Sequence, residues 1–100
     1  KMLTELMAAE LGPKGVRVNA VAPGYTMTPA MKARIVKGER DPRLVIEKSA
    51  LRRFVEPSEV GEAILFLCSE AASAITGVTV PIDAGWLASS AYTAYASQPQ

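Results

Sequence analysis

The sequence predicts an α/β fold in which helices pack around the strands of a parallel sheet. Two observations carry this. Residues 16 to 22, Val-Arg-Val-Asn-Ala-Val-Ala, are β-branched or small at almost every position, which suits a strand covered on both faces better than one with a wet face. That strand stops on Pro23-Gly24 and restarts as a helix at Thr28-Pro29 after a threonine-containing link. In an open parallel sheet, ligands sit in the crevice beyond the carboxyl ends of the strands, so this turn marks a binding edge.

Each element has its own signal. Met2, Leu3, Leu6, Met7 and Leu11 form an apolar stripe at helical spacing, with Glu5 on another face. No capping residue precedes Lys1, so this helix reads as the continuation of a longer chain. Gly12 is expected to take the left-handed conformation that closes it, and Pro13 cannot extend it. Within the strand from Val16 to Ala22, Asn19 is the polar exception. A buried amide without partners costs about 1–3 kcal/mol, so Asn19 is expected to bond neighbouring backbone. Thr28 caps the next helix, Ala30 to Lys37, with Pro29 where its missing N–H does no harm, and Gly38 ends it. Asp41-Pro42 repeats that signal for a second short helix, Arg43 to Ser49, and the charged link Lys37-Gly38-Glu39-Arg40 makes the pair a candidate flap. Pro57 opens a longer helix, whose Val60, Ala63, Ile64 and Leu67 recur at i, i+3, i+4 and i+7. Ser69 to Ser73 reads as a short turn. Thr76-Gly77 then leads into the strand Val78 to Ile82, where Pro81, lacking a ladder donor, argues for a sheet edge or for a nitrogen that faces away from a neighbour. The small, polar tail from Leu87 to Gln100 is assigned no firm structure.

The 100 residues are 49% apolar, and 11 basic against 10 acidic side chains leave a net charge of +1. Such a chain suits one globular unit and offers no electrostatic footprint for nucleic acid or an anionic membrane. Apolar runs are broken well short of the ~20 residues a membrane span needs, and the start is not a signal peptide, so a cytoplasmic location is expected. Cys68, the single cysteine, lies in an apolar helical run and is expected to be a buried thiol rather than a nucleophile. With no histidine, Ser-His and Cys-His catalysis and the common zinc sites are excluded within the chain, and no metal site is expected.

Three blocks carry a resemblance. They are Ala9-Glu10-Leu11-Gly12-Pro13-Lys14-Gly15-Val16-Arg17-Val18-Asn19-Ala20-Val21-Ala22-Pro23-Gly24, then Arg52-Arg53-Phe54 with Pro57-Ser58-Glu59-Val60, then Ile75-Thr76-Gly77 ending in Asp83-Ala84-Gly85. In that order and spacing they resemble the short-chain dehydrogenase/reductase family of NAD(P)-dependent oxidoreductases. The resemblance implies the carboxyl-terminal portion of a doubly wound, Rossmann-like parallel sheet. Residues 1–86 would be part of one NAD(P)-binding domain truncated at its amino end, and residues 87–100 a tail. It also implies that the Pro-Gly loop lies beside the nicotinamide of NAD or NADP. Pro23, Gly24, Thr26 and Thr28 are then the cofactor-binding positions, Thr26 through its backbone alone. The physics agrees at two of them: glycine lets backbone approach a flat ring closely, and Thr28 at a helix start offers a hydroxyl and nearby N–H groups. Capping alone would also account for Thr28. Substrate contacts are implied for the flap, with Tyr25, Met27 and Met31 as candidates, although Met31 and Ile35 at helical spacing equally suit plain packing. Arg52-Arg53 is read as solvated surface and Gly85 as a turn glycine.

The departures bear on activity. The family's glycine-rich phosphate loop, catalytic serine and tyrosine-lysine pair have no counterpart in this sequence, so no catalytic residue is assigned. Lys1 falls about one helical turn after the place of the family's lysine. Ala84 stands where a second glycine is common. The activity implied for the parent protein is hydride transfer between nicotinamide and a carbonyl or secondary alcohol, a sugar, polyol or similar small alcohol being favoured over a 3-ketoacyl thioester. The piece alone is expected to be inactive and its parent a homodimer or homotetramer. The alternative, from another class, is a non-catalytic binding or assembly module. For the 100 residues in isolation, an unpaired strand edge and exposed apolar surface predict aggregation.

Overall fold

Both strands are shorter than their apolar runs. The computed structural model describes residues 1–96, in the order α1 Met2–Leu11, β1 Ala20–Pro23, α2 Pro29–Val36, α3 Pro42–Lys48, α4 Pro57–Leu67, β2 Thr79–Ile82 and α5 Trp86–Ala96. Short 3₁₀ turns cover Gly12–Lys14 and Glu70–Ala72. The two strands are neighbours, and their hydrogen bonds advance in the same direction along both, from Ala20 N–H to Val78 O and from Gly24 N–H to Ile82 O. They are therefore parallel, and a parallel pair needs a long crossover. The segment holding α2, α3 and α4 supplies it. The α/β class expected from the sequence is what the structure has. Two compact units are formed: Lys1–Ala22 with Ser58–Pro81, and Pro23–Pro57 with the segment starting at Ile82. No helix among the described residues is long and apolar enough to cross a membrane.

In the first unit, side chains take over ladder positions. Asn19 donates through Nδ2 to Ile75 O at 2.9 Å and accepts from Val78 N–H at 3.2 Å, while Val18 N–H donates to Thr76 Oγ1 at 3.0 Å. The expected backbone partners of Asn19 are present. Ahead of the regular strand, which begins at Ala20 rather than Val16, these side-chain bonds alternate with a backbone bond from Gly77 N–H to Val18 O at 2.8 Å. The cover on both faces expected from the apolar run is not found: Ala20 and Val21 are half-buried, and Ala22 and Pro23 are exposed. Arg17 closes the far end of α4. Its guanidinium donates to Leu67 O at 2.7 Å and to Ser69 O and Ile75 O at 3.3 Å, satisfying carbonyls that a helix terminus leaves orphaned.

Two expectations for this unit are corrected. Gly12 is right-handed (φ −54°), and the left-handed residue is Gly15 (φ +78°). The chain continues α1 into the Gly12–Lys14 turn, which Pro13 tolerates near its start, before Gly15 reverses it. Cys68 is exposed, not buried. The residue before it, Leu67, ends α4 and is buried, so the thiol falls on the outer side of the helix terminus.

In the second unit, Val45, Ser49, Phe54 and Val55 form the buried centre. Ser49 tolerates burial because its hydroxyl accepts from Arg53 N–H at 3.0 Å and lies 3.2 Å from Arg53 O, to which it donates. The tail from Leu87, to which the sequence assigns no firm structure, belongs to α5, Trp86–Ala96, as far as residue 96, and its residues 97–100 lie outside the described residues. Both flap helices start as expected. Thr28 Oγ1 accepts from Met31 N–H at 3.1 Å, and Asp41 Oδ1 accepts from Arg43 N–H at 3.0 Å.

The Asp41 cap titrates. Side-chain hydrogen bonds from Arg43, then its backbone N–H, hold the Asp41 carboxyl below the ordinary value of 3.8. A carboxyl lowered by folding contributes stability that is present above its unfolded pKa and lost as pH falls through the lowered one. Acid titration of helicity below about pH 4 is therefore expected to show a step that Asp41→Asn removes, because asparagine still caps but does not ionise. An unchanged titration would show that the cap is not coupled to folding.

Candidate functional site

The Pro-Gly turn is set against the end of β2. Gly24 N–H donates to Ile82 O at 2.9 Å, and a Cβ on Gly24 would lie 2.8 Å from Asp83 Cβ and 3.0 Å from Asp83 Cα. Only a glycine allows this approach. Asp83 in turn accepts from Gly85 N–H at 2.9 Å and Leu87 N–H at 3.2 Å, capping α5 with its carboxylate. The link beyond the turn is anchored on buried Val55. Val55 N–H donates to Tyr25 O at 2.9 Å and Met27 N–H to Val55 O at 2.8 Å, a parallel bridge centred on Thr26. The Thr26 hydroxyl donates to Gly24 O at 3.0 Å, so its proton is used within the turn.

What the loop leaves open is a matched set. The amides of Tyr25, Thr26 and Ala30 donate to no other described residue, and Met27 O accepts from none. The Thr28 hydroxyl accepts from Met31 and keeps its own O–H. Ala30 is the second residue of α2, where the helix dipole presents positive charge. A carboxamide carries one carbonyl acceptor and one NH₂ donor, so a short loop with open amides, a hydroxyl and one open carbonyl has the complementary chemistry. The residues present fit a nicotinamide carboxamide.

Every residue singled out from the sequence sits on one continuous stretch of the second unit. Pro23 is exposed at the end of β1, and Gly24, Tyr25, Thr26, Met27, Thr28 and Met31 are half-buried. An open groove of about 740 Å³ in the first unit, lined by Gly15, Arg17, Asn19, Leu67, Cys68 and Glu70 among others, contains none of them. Tyr25 has neighbours that sequence reasoning missed. Its ring centroid is 4.9 Å from that of Trp86, tilted by 52°, and the Arg40 guanidinium carbon lies 5.5 Å from it. Asp83 was missed as well, although Asp-Ala-Gly directly before an apolar segment is a capping signature.

Comparison with known proteins bears on the family and the fold. A family model described as enoyl-(acyl carrier protein) reductase matches residues 1–87. L-Xylulose reductase from Bos taurus is 44% identical over 86 residues, 86% of this chain and 35% of the relative. The chain thus spans about a third of the length of the curated relatives it matches. The solved structure of ElxO with NADP bound superposes at a TM-score of 0.81 with 32% identity, covering 87% of this chain and 35% of the other. A structure named ribose-5-phosphate isomerase from Brucella melitensis 16M superposes at 0.85 with 44% identity, covering 99% of this chain and 38% of the other, so its match extends through α5. Together with the motif order and the parallel strand pair, these matches place the chain in the short-chain dehydrogenase/reductase family, whose Rossmann-fold members use NAD(P).

Proposed function

We propose that residues 1–86 are the carboxyl-terminal part of one NAD(P)-binding domain, with the remainder as its tail, in an oxidoreductase that transfers hydride between nicotinamide and a carbonyl or secondary alcohol. The observation that carries this is the loop from Pro23 to Ala30, with a glycine pressed against Asp83 and the amides of Tyr25, Thr26 and Ala30 unpaired among the described residues. Pro23, Gly24 and the Thr26 backbone form the wall, and Thr28 with the Ala30 amide binds the carboxamide. Bound there, the nicotinamide supplies the hydride chemistry. The chain's own contribution is positioning: holding the carboxamide fixes which ring face meets substrate. Tyr25, Met27 and Met31 line the substrate side, and a sugar or polyol is the favoured substrate class, in keeping with the L-xylulose reductase relative. The catalytic tyrosine and lysine would lie in the portion of the relatives that this chain does not cover. The parent is a cytoplasmic homodimer or homotetramer. The exposed Met2, Leu3 and Leu6 of α1 support a protein-covered face.

Thr28 provides the test. In the full-length protein, Thr28→Ala is expected to weaken NADPH binding about tenfold, the loss of one good hydrogen bond. It should also lower stability by about 1 kcal/mol through the lost cap. Thr28→Ser should preserve both. NADPH affinity unchanged in Thr28→Ala would remove Thr28 from the cofactor site. An isomerase, the activity named for one structural match, would turn over sugar without nicotinamide, so a cofactor-free control separates the two chemistries.

A further inference from the structure

Among the described residues Arg40 makes no ion pair. Of the two acids that flank it in the sequence, Glu39 forms no ion pair among the described residues, and Asp41 is committed to Arg43, accepting from its backbone N–H and from its guanidinium at 3.1 Å. Among the described residues Arg40 has neither an ion pair nor a hydrogen bond, and its recorded contact is the Tyr25 ring. A guanidinium over an aromatic ring keeps N–H donors for other partners, and its donor pairs match a carboxylate in a two-bond fork. The ring beneath it is itself fixed. Tyr25 O accepts from Val55 N–H, and Trp86 packs against the side chain. Tyr25 is also the residue between Gly24 and Thr26, so the cation is tied to the loop that forms the proposed nicotinamide wall.

We infer that Arg40, over the Tyr25 ring beside Trp86, is a carboxylate-recognition point for the substrate, and that the preferred substrate is a carboxylated sugar or polyol rather than a neutral one. The inference rests on the oxidoreductase reading for the hydroxyl-bearing part of the ligand. The rings of Tyr25 and Trp86 offer apolar surface suited to the C–H face of such a molecule, and Arg40 holds its acidic end. Arg40 binds and orients; it takes no part in bond making.

The test compares D-gluconate with D-glucitol, which share a six-carbon hydroxylated chain and differ at one end in charge. Calorimetry on the full-length protein with saturating NADP⁺ is expected to show gluconate binding about tenfold more tightly than glucitol. Arg40→Gln should abolish that preference and Arg40→Lys should restore part of it, with NADPH affinity unmoved. Equal binding of the two ligands, or an Arg40→Gln variant that weakens both equally, would overturn the inference. The two readings fail separately. NADPH binding without a gluconate preference removes the carboxylate point and leaves the oxidoreductase. An Arg40-dependent gluconate preference, measured without nucleotide in a protein that does not bind NADPH, does the reverse.

Discussion

Gly24→Ala is expected to destabilise the protein by about 1–3 kcal/mol and to abolish tight NADPH binding, because the new methyl group has nowhere to go. It would meet Asp83 Cβ at 2.8 Å and Asp83 Cα at 3.0 Å, and the second of these is backbone. A side-chain rotation cannot relieve that contact. The turn or the start of α5 must move, and each is tied down, the turn by the Gly24 N–H bond to Ile82 O and Asp83 by its cap of Gly85 and Leu87. Chemical denaturation and NADPH titration of the full-length variant measure the two effects. Native stability together with native affinity would show that the turn is looser than its contacts indicate.

Gly85→Ala is expected to cost more, about 2–4 kcal/mol, since two penalties coincide. Gly85 is left-handed at φ +82°, and a Cβ there would stand 2.5 Å from Ala50 Cβ. It is more than the turn glycine read from the sequence. The neighbouring Ala84 is also left-handed, at φ +54°, where the family often has a second glycine, so the turn keeps its shape at the expense of strain. Ala84→Gly should accordingly raise stability, by up to about 1 kcal/mol. Thermal unfolding of the two variants should move in opposite directions, and parallel shifts would contradict the strain argument.

What was legible in the sequence was local. Thr28-Pro29 and Asp41-Pro42 are caps whose partners lie two or three residues away, and both form as read. Asn19 could be told to need backbone partners because a buried amide must have them, although its partners, Ile75 and Val78, lie more than fifty residues along. The misses share a cause. Gly12 and Gly15 both offer a helix stop, and the choice between them fell to a 3₁₀ extension that no residue preference dictates. Cys68 sits one residue beyond the helix end, where the apolar pattern still runs but the burial does not. Helix α5 carries only a weak apolar stripe, and its start depends on Asp83 turning back to cap it. At the candidate site, the glycine and threonines were visible as a turn followed by a cap. The fixing of Gly24 by Asp83 and of Tyr25 by Arg40 and Trp86 joins segments far apart in the chain, which periodicity does not report.

The most direct measurement is a crystal structure of the full-length protein with NADP⁺ bound. The carboxamide is expected within hydrogen-bonding distance of the Thr28 hydroxyl and the open backbone groups between Tyr25 and Ala30. A nicotinamide seated elsewhere, with those groups turned to solvent, would contradict the assignment of this loop.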